Sequence, residues 1–171
     1  MKRAFLILAA AAVMVAAAGT APPGGAIEVP AVDPGGYARA IGALKGRVVV
    51  ANMWATWCEP CREEFPELVA FEKEMRPKGV ALLTVSLDMA SALADQVIPF
   101  LKQQGVAFPC YIKAPGDDDV FINAVDPGWK GALPATFIYA RDGRLVSRTD
   151  GPTDRKRLTA AVTPLLESAS Q

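Results

Sequence analysis

Ala51-Asn52-Met53-Trp54-Ala55-Thr56-Trp57-Cys58-Glu59-Pro60-Cys61-Arg62-Glu63-Glu64-Phe65-Pro66-Glu67-Leu68 is the stretch that decides the fold. It closes a β-branched apolar run, Val48-Val49-Val50, and opens a segment whose apolar residues Phe65, Leu68, Val69, Phe71 and Met75 recur at helical spacing. A strand without polar alternation is covered on both faces, so this one belongs inside a sheet. Two cysteines, Cys58 and Cys61, stand at the strand-to-helix junction. If the helix begins at or just after Cys58, its unpaired N–H groups and the positive end of its dipole face that sulfur and favour the thiolate. The spacing fits a redox pair, a structural disulfide or half of a zinc site, and alone does not separate them.

Outward from this centre, composition narrows the chemistry. The chain has 171 residues, with 18 basic and 18 acidic side chains, so charge offers no footprint for nucleic acid. It contains no histidine, which removes Ser-His-Asp and Cys-His nucleophiles and every histidine-bearing metal site. Three cysteines are too few for a disulfide-stapled scaffold. Cys110 is left over once Cys58 and Cys61 pair, and reads as a buried thiol behaving as a small hydrophobe, with a regulatory or metal-binding third sulfur as the alternative. Residues 1–21 combine the charged Met1-Lys2-Arg3, an apolar run from Ala4 to Ala18 and a small-residue exit, the pattern of a secretory signal. The run of about 15 residues is shorter than the roughly 18 to 20 that a spanning helix needs, which favours cleavage after Ala18 or Ala21 over a membrane anchor.

Residues 22–36, rich in proline and glycine, read as an extended approach with Ile27-Glu28-Val29 as an edge strand, and Tyr37 to Leu44 as a short helix. After the central strand and its helix come a buried strand over Val80 to Leu87, a helix over Ser91 to Gln104 kinked or shortened by Pro99, and a short strand over Val106 to Ile112. Asp117-Asp118-Asp119 can cap a helix over Val120 to Val125. Asp142-Gly143 between Thr136–Ala140 and Leu145–Arg148 signals a hairpin, and a last helix covers Thr153 to Ser168. This order predicts an α/β fold: a central mixed β-sheet flanked by helices on both faces.

Trp54-Ala55-Thr56-Trp57-Cys58-Glu59-Pro60-Cys61, followed by Arg62-Glu63-Glu64-Phe65-Pro66 and, far downstream, Leu133-Pro134-Ala135-Thr136-Phe137, resembles the thioredoxin superfamily, and within it the exported TlpA/ResA-like thiol-disulfide oxidoreductases. The resemblance covers residues 27 to the end and implies a thioredoxin-like domain over 37–171. It implies that Cys58 is the attacking thiolate and Cys61 the shielded resolving thiol, with no cofactor or metal. It makes Pro134 a cis-proline that brings the backbone of Leu133 opposite Cys58 to pair with a client chain. Trp57, Glu59 and Pro60 join Leu133 as client-contacting positions, and Trp129 belongs either to the core or to the client groove. Cytoplasmic thioredoxins carry a proton-relaying aspartate where this chain has Asn52, which cannot serve as acid or base. Glu64 matches an acidic residue of the ResA-like members and is a candidate general base for Cys61, in competition with a solvated first-turn glutamate. Glu59 lies inside the pair, where its charge opposes a very low thiolate pKa and leans the site toward reduction.

The function implied by that resemblance is an exported protein-disulfide reductase, periplasmic or otherwise extracytoplasmic. Its clients would be proteins with cysteine pairs, such as apocytochrome c or copper-site proteins, and a membrane thiol protein would recharge it as a monomer. Two alternatives are kept: a thiol-dependent peroxidase, which needs a lone peroxidatic cysteine, and a Cu(I)-binding metallochaperone using soft thiolates.

Overall fold

The computed structural model describes residues 27–167. The signal expected over residues 1–21 lies outside them. Among the described residues no helix is long and apolar enough to cross a membrane.

Strand β2, Val48–Trp54, is buried along its whole length. It pairs in parallel with β3, Val80–Ser86, and antiparallel with β5, Ala135–Tyr139. Outside these lie β4, Cys110–Lys113, then β1, Ala31–Val32, on one side, and β6, Leu145–Asp150, on the other; the six-stranded order is β1-β4-β3-β2-β5-β6. Because successive side chains of a strand point to opposite faces, β2 divides its residues between two cores. Val48, Val50 and Trp54 pack under α2, Glu59–Met75, with α3, Ile98–Gln103, and α5, Arg155–Glu167. Val49, Ala51 and Met53 pack under α1, Pro34–Gly42, and α4, Asp118–Val125. The mixed sheet with helices on both faces is thus the predicted architecture.

Several boundaries move, each for a local reason. The edge strand is Ala31–Val32 and not Ile27–Val29, and the first helix starts at Pro34 instead of Tyr37. Asp33 caps that helix by accepting from the Gly36 N–H at 2.6 Å, and Pro34 occupies its first turn, so Gly35-Gly36 falls inside the helix. Val29 and Val32 are buried, and the packed region therefore extends N-terminal of Tyr37. The continuous helix expected over Ser91–Gln104 is broken into a 3-10 turn, Ala90–Ala92, a π turn, Leu93–Val97, and α3. Pro99 has no N–H for the carbonyl of Asp95, and the wider register falls where that bond is missing. Helix α2, by contrast, runs on through Pro66. The hairpin forms as expected: Gly143 takes φ +88°, which only glycine adopts without strain, and its N–H donates to Ala140 O at 2.9 Å.

Candidate active site

The C-terminal ends of β2 and β3 lie side by side, Trp54 opposite Ser86, while Met53 faces Ala135 at the start of β5. Ligand sites gather at this end of parallel strands because the loops that leave it converge there. The loop from β2 enters α2 with Cys58 as the N-cap: φ −90°, ψ 101°, and its Sγ accepts from the Cys61 N–H at 3.3 Å. The sulfur therefore occupies the position where a serine or aspartate oxygen would satisfy a first-turn donor, and Pro60 follows where no donor is needed. Cys58 and Cys61 are joined as a disulfide with Cα atoms 5.3 Å apart. Cys58 keeps 5 % of its surface and Cys61 none, so Cys58 is the more accessible of the two sulfur-bearing residues.

Aromatic packing holds the helix start against the sheet. Trp54, Phe65 and Phe100 form a triangle with ring centroids 4.8 to 5.0 Å apart, each such pair worth about 0.5 to 1.5 kcal/mol beyond area burial. Arg62, next after Cys61, lies with its guanidinium 6.0 Å from the Phe100 ring centre. Trp57 behaves differently: 69 % of its surface is exposed beside the disulfide, which makes it a surface platform and not a core tryptophan. Trp129 is fully covered, stacked edge-on against Phe137, and donates its indole N–H to Ala132 O at 3.0 Å. It is a core residue that ties down the segment leading to Pro134.

The Leu133–Pro134 peptide is cis. Pro134 is buried, and its carbonyl accepts from the Gly151 N–H at 2.8 Å, closing the far end of the hairpin. Leu133 is half-buried between the two cores, and among the described residues its own N–H and C=O make no backbone hydrogen bond. Glu59 is exposed and Pro60 half-buried on the first turn of α2.

Glu64 is not a solvated first-turn glutamate. It is 4 % exposed, and its carboxylate accepts from Asn52 Nδ2 at 2.9 Å and from the Thr153 N–H at 2.8 Å. Asn52 Nδ2 also donates to Thr136 Oγ1 at 3.1 Å, so one amide links β2, β5 and α2. Burial pushes the Glu64 carboxyl above its ordinary range, and the Thr153 and Asn52 donors draw it partly back. No hydrogen bond joins Glu64 to Cys61 in this disulfide state; the two are neighbours one turn apart on the buried side of α2.

Cys110 sits at the start of β4, and its sulfur accepts from Thr84 Oγ1 at 3.2 Å. Burial pushes its thiol up to about 12, with the Thr84 hydroxyl opposing. Among the described residues no cluster of three or more cysteine or carboxylate side chains could hold a metal ion. Sequence reading gave no role to Asp88, which is buried at the end of β3 and accepts from both the N–H and the hydroxyl of Thr56 in the loop before Cys58. The two are 32 positions apart, and no local pattern marks their meeting.

A bridged cysteine pair at the N-terminus of the helix that follows the central strand of a mixed sheet, with a cis-proline just before the antiparallel neighbour β5, defines a thioredoxin-like fold. The sequence profile of the AhpC/TSA family matches residues 26–148, and the chain belongs to that family. It is 32 % identical over 108 residues to the thiol-disulfide oxidoreductase ResA of Bacillus subtilis, which covers 63 % of this chain and 55 % of the relative. Among solved structures, a thioredoxin-related protein from Neisseria meningitidis serogroup B is 31 % identical, covers 71 % of this chain and 85 % of that one, and has a TM-score of 0.56. A thiol:disulfide interchange protein from Chlorobium tepidum TLS is 25 % identical, covers 73 % and 83 %, and has a TM-score of 0.62. The chain matches 55 % to 62 % of the length of such curated relatives.

Proposed function

We propose that this protein is an exported thiol-disulfide oxidoreductase that reduces disulfides of client proteins. The observation that carries the reading is the Cys58–Cys61 bridge at the N-cap of α2, with only Cys58 open to approach. In the reduced protein the Cys58 thiolate attacks a client disulfide, forming a mixed disulfide and releasing one client thiolate. Cys61, deprotonated, then attacks the Cys58 sulfur; the Cys58–Cys61 bond forms and the second client thiol leaves. Attack by the sulfur nearest the helix end is favoured because the thiolate is the nucleophile and the helix N-terminus stabilises it.

The other residues take roles consistent with their places. Leu133, next to cis-Pro134 and with no backbone hydrogen bond among the described residues, supports addition of a short client strand, and exposed Trp57 with Glu59 and Pro60 forms the rest of the contact surface. Glu64, kept protonatable by burial, takes the proton of Cys61. The relatives' names support exchange chemistry as the class of reaction. The sequence of residues 1–21 supports export, with a working domain that reaches N-terminal of Tyr37 to include the buried Val29 and Val32; apocytochrome c or copper-site proteins as clients and a membrane thiol donor complete the proposal.

Insulin reduction driven by dithiothreitol tests the activity: the wild-type protein should accelerate it, and Cys58→Ser should not. Equal rates with and without the wild-type protein would end this reading. Hydrogen peroxide consumption, measured alongside, should stay at the level of a simple dithiol, since Cys58 and Cys61 bridge each other and the one free cysteine among the described residues, Cys110, is buried with its thiol pushed up to about 12.

A further inference from the structure

We propose that Asp88 is a positioning residue for Cys58, its carboxylate clamping the loop that presents the first cysteine. The inference rests on the thiol-exchange reading above. Asp88 lies just past β3 and is 3 % exposed. Its Oδ2 accepts from the Thr56 N–H at 2.9 Å and from the Ser86 hydroxyl at 2.6 Å, and its Oδ1 accepts from the Thr56 hydroxyl at 2.6 Å. Ser86 Oγ in turn accepts from the Asp88 N–H at 3.0 Å, so the carboxylate is fixed to the end of its own strand.

A buried carboxylate is costly unless its oxygens are satisfied, and here three donors converge on it, two of them from one residue of the loop. The loop has few other ties: Ala55 is buried in the core, and the Thr56 hydroxyl also lies 3.1 Å from Gln96 Oε1 at the surface. Leu87 N–H binds Trp54 O at 2.8 Å where the loop begins, and Cys58 N–H binds Ala55 O at 3.2 Å across its turn. Trp57, between Thr56 and Cys58, has its side chain in solvent, so apolar packing does not anchor that position. The Asp88 clamp on Thr56 is therefore the buried polar tie from β3 to this loop, two residues before the sulfur. Cys61 is fixed separately, fully buried in the first turn of α2. Holding both sulfurs raises their effective concentration toward each other, which is the quantity that drives release of the client and closure of the disulfide.

Equilibration with glutathione reads this directly. Protein dithiol and glutathione disulfide give protein disulfide and two glutathione thiols; two electrons and two protons leave the cysteines, one S–S bond forms and one breaks. Asp88→Asn and Thr56→Val should each lower the closure constant about tenfold, which makes the potential about 30 mV less negative. Thr56→Ser, which restores the hydroxyl, should stay within twofold of wild type. The double variant should be no worse than the lower single one, because both changes open the same clamp. A role confined to stability would shift the denaturant midpoint of oxidised and reduced forms alike and leave this constant unchanged. Closure constants within twofold of wild type for Asp88→Asn and Thr56→Val would overturn the proposal; should Asp88→Asn not fold, Thr56→Val decides. A wild type that never equilibrates with glutathione would instead overturn the exchange reading, and this inference with it.

Discussion

Cys110 and the Cys58–Cys61 pair belong to the same apolar cluster on one face of the sheet, yet they are set up for opposite behaviour. Cys110 is enclosed at the start of a strand, its sulfur taking a hydroxyl hydrogen bond and its proton held up to about 12. Cys58 is nearly as covered, but it caps a helix, at the rim where a strand-to-helix loop meets solvent. Burial alone therefore does not decide which sulfur reacts. In the proposed function what separates them is the nearest backbone: the Cys61 N–H in the first turn of α2 donates to the Cys58 sulfur, while an apolar shell penalises a thiolate at position 110.

The largest expected effect breaks the comparison at its reactive end. Cys58→Ser should reduce disulfide exchange with insulin by more than about a thousandfold, because serine is no nucleophile toward sulfur at neutral pH. Alkylation of the reduced protein by iodoacetamide at pH 8 should modify Cys110 about a thousandfold more slowly than a thiol at its ordinary value of 9.0, since its thiolate is that much scarcer. Rapid labelling of Cys110 in the folded protein would refute the account of its environment. Glu64→Gln should slow exchange at neutral pH by about ten- to a hundredfold and flatten its pH profile. An unchanged profile would remove Glu64 from the proton path. Cys110→Ala should leave exchange within twofold while lowering stability by about 1 kcal/mol, the scale of a lost buried hydrogen bond with a small cavity.

Glu64 also makes a smaller, thermodynamic prediction. Its folded pKa is raised above the ordinary 4.5, so the native state binds this proton more tightly than the unfolded chain. The stabilisation is complete below the unfolded value and is lost as pH rises through the folded one. Urea unfolding of wild type and Glu64→Gln from pH 4 to 7 should show the wild type losing stability relative to the variant across that window. A gain in the same direction would mean that the Asn52 and Thr153 donors outweigh burial.

Which of these features the sequence reveals follows from distance along the chain. The central strand, the helix behind it and the cysteine pair are local patterns: β-branched residues without alternation, helical spacing, and a proline in the first turn. The sheet with helices on both faces follows from element order. The early helix start was written in Asp33-Pro34, but Gly35-Gly36 masked it. The break over Leu93–Val97 was hinted at by Pro99 without its form being readable. Contacts between distant residues left no trace. Asn52 joins Glu64 and Thr136, Trp129 seats the segment before Pro134, and Asp88 reaches Thr56, each only once the sheet has brought its strands together. Trp57 and Trp129 are a further case: composition treats them alike, and only packing puts one in solvent and the other in the core.

Trapping on Cys58 is the most direct test of the central claim. Cys61→Ser, reduced and mixed with a disulfide-bonded peptide, should accumulate a mixed disulfide that mass spectrometry maps to Cys58, with Cys110 remaining a free thiol. A peptide adduct on Cys110, or none on Cys58 under conditions where glutathione itself exchanges with the peptide, would contradict the account.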